Sequence, residues 1–241
     1  MKALILAGGR GKRLDEFSAE NNKCMIKING RPVIEYNLDA AVNAGADEII
    51  VVVGYRAEDI INHFGNRYDN KRLSYVIQWE QRGLVHAMEC AREALAGDDF
   101  MLLLGDEIML NPRHREMIDE FRKGDAFVVC GILRVDDKEL IKRTYTLIQD
   151  ESGRIHRLIE KPRSPLNNYQ GTGDCVFHNS ILDFIEMTPI HHERNEKELP
   201  DLIQCAIDEG RVVKSFIICD KYTNINTKED IAMAEEFLRK G

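Results

Sequence analysis

The sequence has no long apolar run. Across its 241 residues, no stretch approaches the roughly 20 consecutive apolar residues that a membrane-spanning helix needs. The apolar stretch within Met1–Ala7 is too short for the core of a secretory signal, and glycines follow it at once. We therefore expect a cytoplasmic protein with no membrane partner.

The chain also lacks an excess of positive charge. Lys and Arg total 33 against 41 Asp and Glu, which gives a net charge of −8. Binding to nucleic-acid phosphates needs a basic surface, so no nucleic-acid partner is expected. A small phosphorylated ligand in a local basic pocket is compatible with this balance, and a homo-oligomer stays open.

Paired cysteines are missing as well. Six cysteines occur, but no two are separated by only two residues, so neither a zinc site nor a redox motif is indicated. The apolar content of 44% and charged content of 31% are typical of a folded, soluble chain.

The first half of the chain alternates strand-like and helix-like segments. Short apolar runs typical of strands covered on both faces predict strands at Leu4–Ala7, Glu48–Val53, Leu73–Gln78 and Phe100–Leu104. Apolar residues at helical spacing predict helices that end near Gly45 and Gly97. Repeated βα units favour a parallel sheet with helices on both faces.

The second half has more strand-like and fewer helix-like segments. Its predicted strands are Ala126–Val135, Tyr145–Gln149, Ile155–Glu160, Cys175–His178 and Val212–Ile218. Its predicted helices are Ser180–Met187, Leu199–Glu209 and Lys228–Lys240. We predict an α/β fold with a Rossmann-like mixed, mostly parallel sheet flanked by helices.

A glycine-rich, basic loop follows the first predicted strand. Gly8, Gly9 and Gly11 allow a tight turn that presents backbone N–H groups to an anion, and Lys12 and Arg13 add positive charge. The P-loop motif and the dinucleotide-binding fingerprint both require a glycine where this chain has leucine. The loop therefore predicts phosphate binding of another kind.

Chemically useful side chains follow the other predicted strands of the first half. Gln78 and Gly83 follow the third strand, and Gly105 and Asp106 follow the fourth. Ligands of open α/β sheets bind outside the carboxyl ends of the strands. We therefore expect these residues beside the glycine-rich loop.

Six motifs, in the family's own order, resemble the signature of the sugar nucleotidyltransferases, the nucleotide-sugar pyrophosphorylases. They are Leu6–Leu14 with Lys23 and Gly30–Ile34, Gln78 with Gly83–Ala87, Leu104–Asp106, Ile159–Pro162, Thr172–Gly173, and Tyr222–Thr227. The second motif is similar to the base-binding segment of the glucose-1-phosphate thymidylyltransferase branch. The resemblance implies one catalytic domain over residues 1–241, with a nucleotide-binding half at about 1–110 and a sugar-phosphate-binding half at about 111–241.

The resemblance also implies a reaction. A nucleoside triphosphate and a sugar 1-phosphate would give a nucleotide sugar and pyrophosphate by in-line attack, with Mg²⁺ as cofactor. Catalysis of this kind rests on positioning and charge neutralisation and needs no side-chain nucleophile. The donors dTTP and UTP are favoured, because the amide of Gln78 can pair with the imide edge of thymine or uracil.

Residue roles follow from the same resemblance. The implied nucleotide-binding residues are Leu6, Ala7, Gly8, Gly9, Gly11, Gln78 and Gly83. The implied catalytic residues are Arg13, Lys23, Asp106 and Lys161, of which the first two would neutralise the triphosphate. Sugar-phosphate contacts are expected from Tyr145, Glu160, Lys161 and Gly173, and metal contacts from Asp106 and Asn224.

Three positions depart from the family's pattern. The family usually has proline next to the lysine, whereas this chain has Asn22-Lys23-Cys24, and Thr146 stands where the family has a glycine that contacts the sugar. Asn224 replaces an aspartate that binds metal, and its amide oxygen brings no charge. Two alternatives therefore stay open: a CTP-dependent cytidylyltransferase acting on a sugar phosphate or a phosphocholine-like acceptor, and a non-catalytic regulator that binds nucleotide sugars.

Overall fold

The computed structural model describes residues 1–11 and 22–240. The strands are β1 (Lys2–Ala7), β2 (Lys27–Ile28), β3 (Arg31–Pro32), β4 (Glu48–Val53), β5 (Arg67–Tyr68), β6 (Lys71–Ile77), β7 (Phe100–Leu104), β8 (Glu107–Leu110), β9 (Val128–Arg134), β10 (Tyr145–Gln149), β11 (Ile155–Glu160), β12 (Tyr169–Phe177), β13 (Ile190–His191), β14 (Glu196–Lys197), β15 (Val213–Ile217) and β16 (Lys221–Asn224). The helices are α1 (Val33–Asn43), α2 (Ala57–Phe64), α3 (Leu84–Cys90), α4 (Arg92–Leu95), α5 (His114–Phe121), α6 (Lys138–Ile141), α7 (Leu199–Asp208) and α8 (Lys228–Lys240). Short 3₁₀ helices cover Lys23–Met25 and Asn179–Phe184.

Strands from both halves of the chain form the main sheet. Its central order is β7-β1-β4-β6, and these four strands are parallel. Beyond β7 the long strand β12 pairs antiparallel with β7, β9 and β10, and β15 adds a parallel pair with β9. The predicted α/β class with a mixed, mostly parallel sheet flanked by helices is confirmed.

The strand order reverses at β1. The chain runs from β1 to β4 and β6 on one side and then returns to β7 on the other. A crevice opens outside the carboxyl ends of two strands whose connections leave in opposite directions. The glycine-rich loop after β1 and Asp106 after β7 both lie at this point.

Apolar residues cover both faces of the sheet. One cluster joins alternate residues of β1, β4 and β7 to α3, α4 and α7, and the other joins the intervening residues to α1, α2 and α5. A third, smaller cluster packs α8 against the β8–β16 ribbon through Ile108, Ile225, Ala234 and Phe237. This packing brings Asn224, near the end of the chain, beside the carboxyl end of β7.

Two predicted elements differ from the structure in type or by more than two residues at one end. The segment predicted as a helix at Ser180–Met187 is a 3₁₀ helix at Asn179–Phe184. Pro189 disfavours helical geometry in the residue before it, which limits the segment's length. The strand predicted at Cys175–His178 begins six residues earlier, at Tyr169, because a bulge between Gly171 and Cys175 interrupts the apolar pattern.

The bounds of several other strands match the prediction. The strands Glu48–Val53, Phe100–Leu104, Tyr145–Gln149 and Ile155–Glu160 have the predicted limits. None of the helices between residues 1–11 and 22–240 is long and apolar enough to cross a bilayer.

Candidate active site

An ion pair with a buried lysine lies at the centre of the site. The ammonium group of Lys23 donates to Oδ2 of Asp106, and the two side chains are only 8% and 22% exposed. Lys23 reaches this position because Asn22 caps its 3₁₀ helix, accepting from the N–H of Cys24 at 2.8 Å. Asn22 also donates to the carbonyl oxygen of Ala7 at 3.1 Å. The lysine is thereby tied to the carboxyl end of β1.

Two asparagines from the far end of the chain complete this cluster. Oδ1 of Asn226 accepts from Lys23 Nζ at 2.8 Å, and the amide of Asn226 donates to Oδ1 of Asn224. Asp230, 1% exposed, orders their segment by accepting from the backbone N–H groups of Asn226 and Thr227 at 2.9 and 2.8 Å. The predicted residues Lys23, Asp106 and Asn224 are therefore brought together, and Asn226 is a member that the sequence analysis missed.

The glycine-rich loop lies beside Gln78. A Cβ added to Gly8 would come 2.9 Å from Gln78 Oε1, and one added to Gly11, at φ +62°, would come 2.9 Å from Lys23 Cβ. These two glycines are needed because other side chains approach their backbone closely. Gly9 is exposed, and no atom of the described residues lies within 4 Å of its added Cβ. Lys12 and Arg13, the predicted cations of this loop, lie outside the described residues.

The ends of β1 and β7 are joined through their backbones. The N–H of Gly105 donates to the carbonyl oxygen of Leu6 at 2.9 Å, and the N–H of Tyr55 donates to that of Gly8 at 3.1 Å. The backbone from Leu6 to Gly8, which includes Ala7, is therefore held against Gly105, the residue before Asp106.

A second charged cluster lies at the carboxyl end of β11. Glu160 Oε1 lies 3.0 Å from Lys161 Nζ and 3.6 Å from a guanidinium nitrogen of Arg194. Burial raises the pKa of Glu160 above its ordinary value, and Lys161 partly opposes that shift. Lys161 has φ +42°, a conformation that non-glycine residues rarely adopt, and its N–H donates to the carbonyl oxygen of Thr144 at 2.7 Å. The predicted pair Glu160 and Lys161 thus gains a second cation, Arg194.

The hairpin formed by β13 and β14 connects this cluster with the base segment. Arg194 lies in its turn, between β13 and β14. Glu196, the first residue of β14, approaches Gly83 so closely that a Cβ there would come 2.8 Å from its carboxylate. The hairpin therefore contacts residues from both predicted halves of the chain.

Glu107, next to Asp106, links three elements of the site. Its buried carboxylate accepts from the N–H of Gly173 at 3.1 Å and from the hydroxyl of Tyr222 at 2.6 Å. Burial and the nearby Asp174 raise the pKa of Glu107 well above its ordinary value. Gly173 is closely packed, because an added Cβ would come 2.2 Å from Leu104.

Tyr145 and Thr146 lie deeper than the charged groups. Tyr145 is 4% exposed and its ring covers Gly171, where an added Cβ would come 2.0 Å from the ring. The hydroxyl of Thr146 lies 3.0 Å from both Oδ1 of Asn167 and the carbonyl oxygen of Tyr169. The contacts of Tyr145 and Gly173 with a sugar stay predictions.

Comparison with known proteins identifies the family. The family model described as nucleotidyl transferase matches residues 2–241. The chain belongs to this family. It is 31% identical over 240 residues to the UTP–glucose-1-phosphate uridylyltransferase of Haloferax volcanii, covering 100% of this chain and 97% of that one. It is also 31% identical over 235 residues to a glucose-1-phosphate thymidylyltransferase of Streptomyces griseus, covering 96% of this chain and 64% of the other.

Solved structures show the same fold. A UTP-bound UGPase from Acinetobacter baumannii superposes with a TM-score of 0.84 at 21% identity, over 98% of this chain and 92% of that one. The predicted membership of the sugar nucleotidyltransferases is confirmed by the family model and the named relatives.

Proposed function

We propose that this chain transfers a nucleotidyl group from UTP or dTTP to a sugar 1-phosphate, releasing pyrophosphate, with Mg²⁺ as cofactor. The observation that carries the proposal is the buried contact of Lys23 with Asp106 and Asn226 at the reversal of strand order. The names of the Haloferax and Streptomyces relatives support the same class of reaction.

The donor set at Asp106 fits a magnesium ion. Asp106 offers one carboxylate, and Asn224 and Asn226 offer amide oxygens within the same hydrogen-bonded cluster. No group of three or more His, Cys, Asp or Glu residues in the described part of the chain could hold a metal by itself. This agrees with Mg²⁺, which usually binds through one or two carboxylates together with substrate phosphates. When bound by Asp106 and Asn224, the ion would supply positive charge beside the α-phosphate.

The protein's own groups neutralise and orient the two anions. The backbone N–H groups of the glycine loop face the triphosphate, and the ammonium of Lys23 neutralises charge that develops on the α-phosphate. An oxygen of the acceptor phosphate attacks the α-phosphorus, and the bond from that phosphorus to the bridging oxygen of pyrophosphate breaks. Both electrons of the broken bond leave with pyrophosphate, so no covalent enzyme intermediate is needed.

The acceptor binds at the second charged cluster. Lys161 and Arg194 hold the acceptor's phosphate, and Glu160 accepts a hydrogen bond from a sugar hydroxyl. Glu160 is mostly buried between these two cations, so its carboxylate is fixed in direction before the sugar arrives. The positioning of both substrates in one crevice supplies much of the rate enhancement expected of this reaction.

The base lies against Gln78. Gln78 is 4% exposed, between Gly8 of the loop and Gly83 of the segment before α3. An amide at this position can form a hydrogen bond with the N3 position of uracil or thymine. This contact favours UTP or dTTP as donor.

A pyrophosphate-release screen tests the proposal. Each nucleoside triphosphate is combined with a panel of sugar 1-phosphates and with phosphocholine, in the presence of Mg²⁺. We expect release with UTP or dTTP and a sugar 1-phosphate, and its loss in Asp106→Asn. The matched control is Asp119→Asn, which removes an exposed carboxylate paired with Arg122 and is expected to leave activity unchanged.

The other outcomes of this screen contradict the proposal. Preferred release with CTP and phosphocholine would show a cytidylyltransferase. Release in no combination, together with binding of a nucleotide sugar in a separate binding measurement, would show a regulator.

A further inference from the structure

The side-chain amide of Gln78 is held in one orientation. Its Nε2 donates to the carbonyl oxygen of Gly83 at 3.1 Å and lies 3.0 Å from Nδ1 of His86. Turning the amide over would place Oε1 against the Gly83 carbonyl oxygen, and two acceptors would then face each other. Oε1 therefore points to the Gly8 side of the residue, where the glycine has no Cβ to block it.

His86 faces two donors and can accept from only one. Nη2 of Arg82 lies 2.8 Å from its Nε2, while Gln78 Nε2 lies 3.0 Å from its Nδ1. A neutral imidazole has one acceptor nitrogen, so the ring's tautomer decides which donor is satisfied. The same tautomer decides whether the Gln78 amide keeps its second partner.

The surroundings favour acceptance from Gln78. Gln78 is buried, whereas the side chain of Arg82 is 64% exposed and already pairs with Glu80 at 3.3 Å. A proton on Nε2 has Cys90 Sγ at 3.7 Å as an acceptor. Burial, followed by the charge of Arg82, lowers the pKa of His86, which favours the neutral ring. An unpaired buried amide costs more than an exposed guanidinium that water can solvate.

We infer that His86 is a positioning residue for base selection: Nδ1 of His86 and the Gly83 carbonyl oxygen fix Gln78 so that it presents only Oε1, an acceptor, to the base. Uracil and thymine carry N3–H, a donor that meets this acceptor. Cytosine has an unprotonated N3, an acceptor, at the same place. Fixing the amide therefore turns a side chain that could serve either base into one that selects imide bases.

This inference rests on the proposed function, in which Gln78 contacts the base. It goes further by assigning the selectivity to a residue that need not touch the nucleotide. The consequence is specific: changing His86 should alter the ratio between two bases and leave the chemical step unchanged.

A matched pair of substitutions tests it. In His86→Asn, the Oδ1 atom supplies an acceptor at the position of Nδ1. In His86→Leu, the leucine has nearly the same size and shape as asparagine but has no acceptor. Two quantities are measured: the ratio of kcat/KM for UTP to that for CTP, and the dissociation constant of each of these nucleotides. The dissociation constants come from the fluorescence of Trp79, which is the chain's single tryptophan, is 83% exposed and adjoins Gln78.

We expect His86→Leu to lower the preference for UTP over CTP by about two- to tenfold, the range expected for one neutral hydrogen bond. His86→Asn should retain the preference within about twofold, and kcat with UTP should hold in both variants. An unchanged ratio in His86→Leu would overturn the inference. So would an equal loss in both variants, because that would show that the ring only fills space.

Arg82→Ala provides a second, independent test. If His86 accepts from Gln78, removing Arg82 leaves the UTP-to-CTP ratio unchanged. A clear rise in that ratio would show that Nε2 of His86 accepts from Arg82 in the unaltered protein and that Nδ1 carries the proton, and it would overturn the assignment even if His86→Leu did not fold. If the proposed function itself is wrong, the experiment gives a different result: the unaltered protein releases no pyrophosphate with any pair of substrates.

Discussion

The two lysines of the site occupy very different environments. The side chain of Lys23 is 8% exposed and contacts Asp106 and Asn226, whereas that of Lys161 is 41% exposed beside Glu160. Each lysine has a carboxylate partner, but the more exposed member is Asp106 in the first pair and Lys161 in the second. In the first pair the carboxylate remains accessible to a ligand, and in the second the ammonium does.

This difference indicates how the reaction is divided between the two pairs. A buried cation whose partners come from two distant segments is preorganised, so it can stabilise charge at the moment of reaction without rearrangement. A half-exposed cation can contact a substrate that arrives from solvent, at low cost in desolvation. We therefore expect loss of the first pair to affect the chemical step and loss of the second to affect binding of the acceptor.

The largest effect is expected from Asp106→Asn. The change removes the charged metal ligand and leaves Lys23 without its counter-charge, so kcat/KM should fall by at least about 100- to 1,000-fold. The free energy of unfolding should also fall, by about 1–3 kcal/mol, because a buried ammonium loses a partner. Thermal unfolding monitored by circular dichroism separates the two effects. Near-normal activity in the folded variant would exclude Asp106 from catalysis.

Lys23→Met should lower kcat and kcat/KM together. A loss of at least about tenfold is expected from one charge-assisted hydrogen bond that forms in the transition state, with little change in either KM. Lys2→Met is the matched control, since Lys2 is 15% exposed and lies 3.2 Å from Asp98, away from the crevice. A rise in KM with unchanged kcat would contradict the role given to Lys23.

Lys161→Met should raise KM for the sugar phosphate by about tenfold and leave KM for the nucleotide nearly unchanged. Lys142→Met is a close match, because Lys142 is 39% exposed and pairs with Glu139 at 2.6 Å. Initial rates with each substrate varied in turn give both constants. Weaker nucleotide binding with unchanged acceptor binding would reverse the assignment of the two lysines.

The sequence predicted most of the parallel part of the fold and the composition of both charged pairs. The apolar runs correctly predicted the first and last residues of β4, β7, β10 and β11. These strands begin and end at changes in polarity that the local sequence shows. Lys23, Asp106, Glu160 and Lys161 follow from motifs at strand ends.

Residues whose partners are distant in sequence were missed. Asn226 lies 203 positions from Lys23, and nothing near it distinguishes it from Asn224. Arg194 lies outside every predicted strand and helix, and only the β13–β14 hairpin brings it to Glu160. The role of Glu107 depends on its contact with Gly173 in the bulge of β12, and the local apolar pattern does not indicate this bulge.

A smaller effect is expected from pH. Because burial raises the pKa of Glu160, this carboxylate takes up a proton at a higher pH than an ordinary glutamate, whose pKa is about 4.3. As pH falls, the group loses its charge early and accepts a sugar hydroxyl less well, so KM for the acceptor should rise a few-fold. Glu160→Gln supplies the comparison, because any pH dependence that remains in it belongs to other groups. Identical profiles for the two proteins would exclude this role.

The division of labour between the two lysines is tested most directly by the double variant Lys23→Met/Lys161→Met. Independent roles predict that its loss in kcat/KM for the sugar phosphate equals the product of the two single losses, within about twofold. A double variant no worse than the poorer single variant would show that the lysines act as one unit, and would contradict the account.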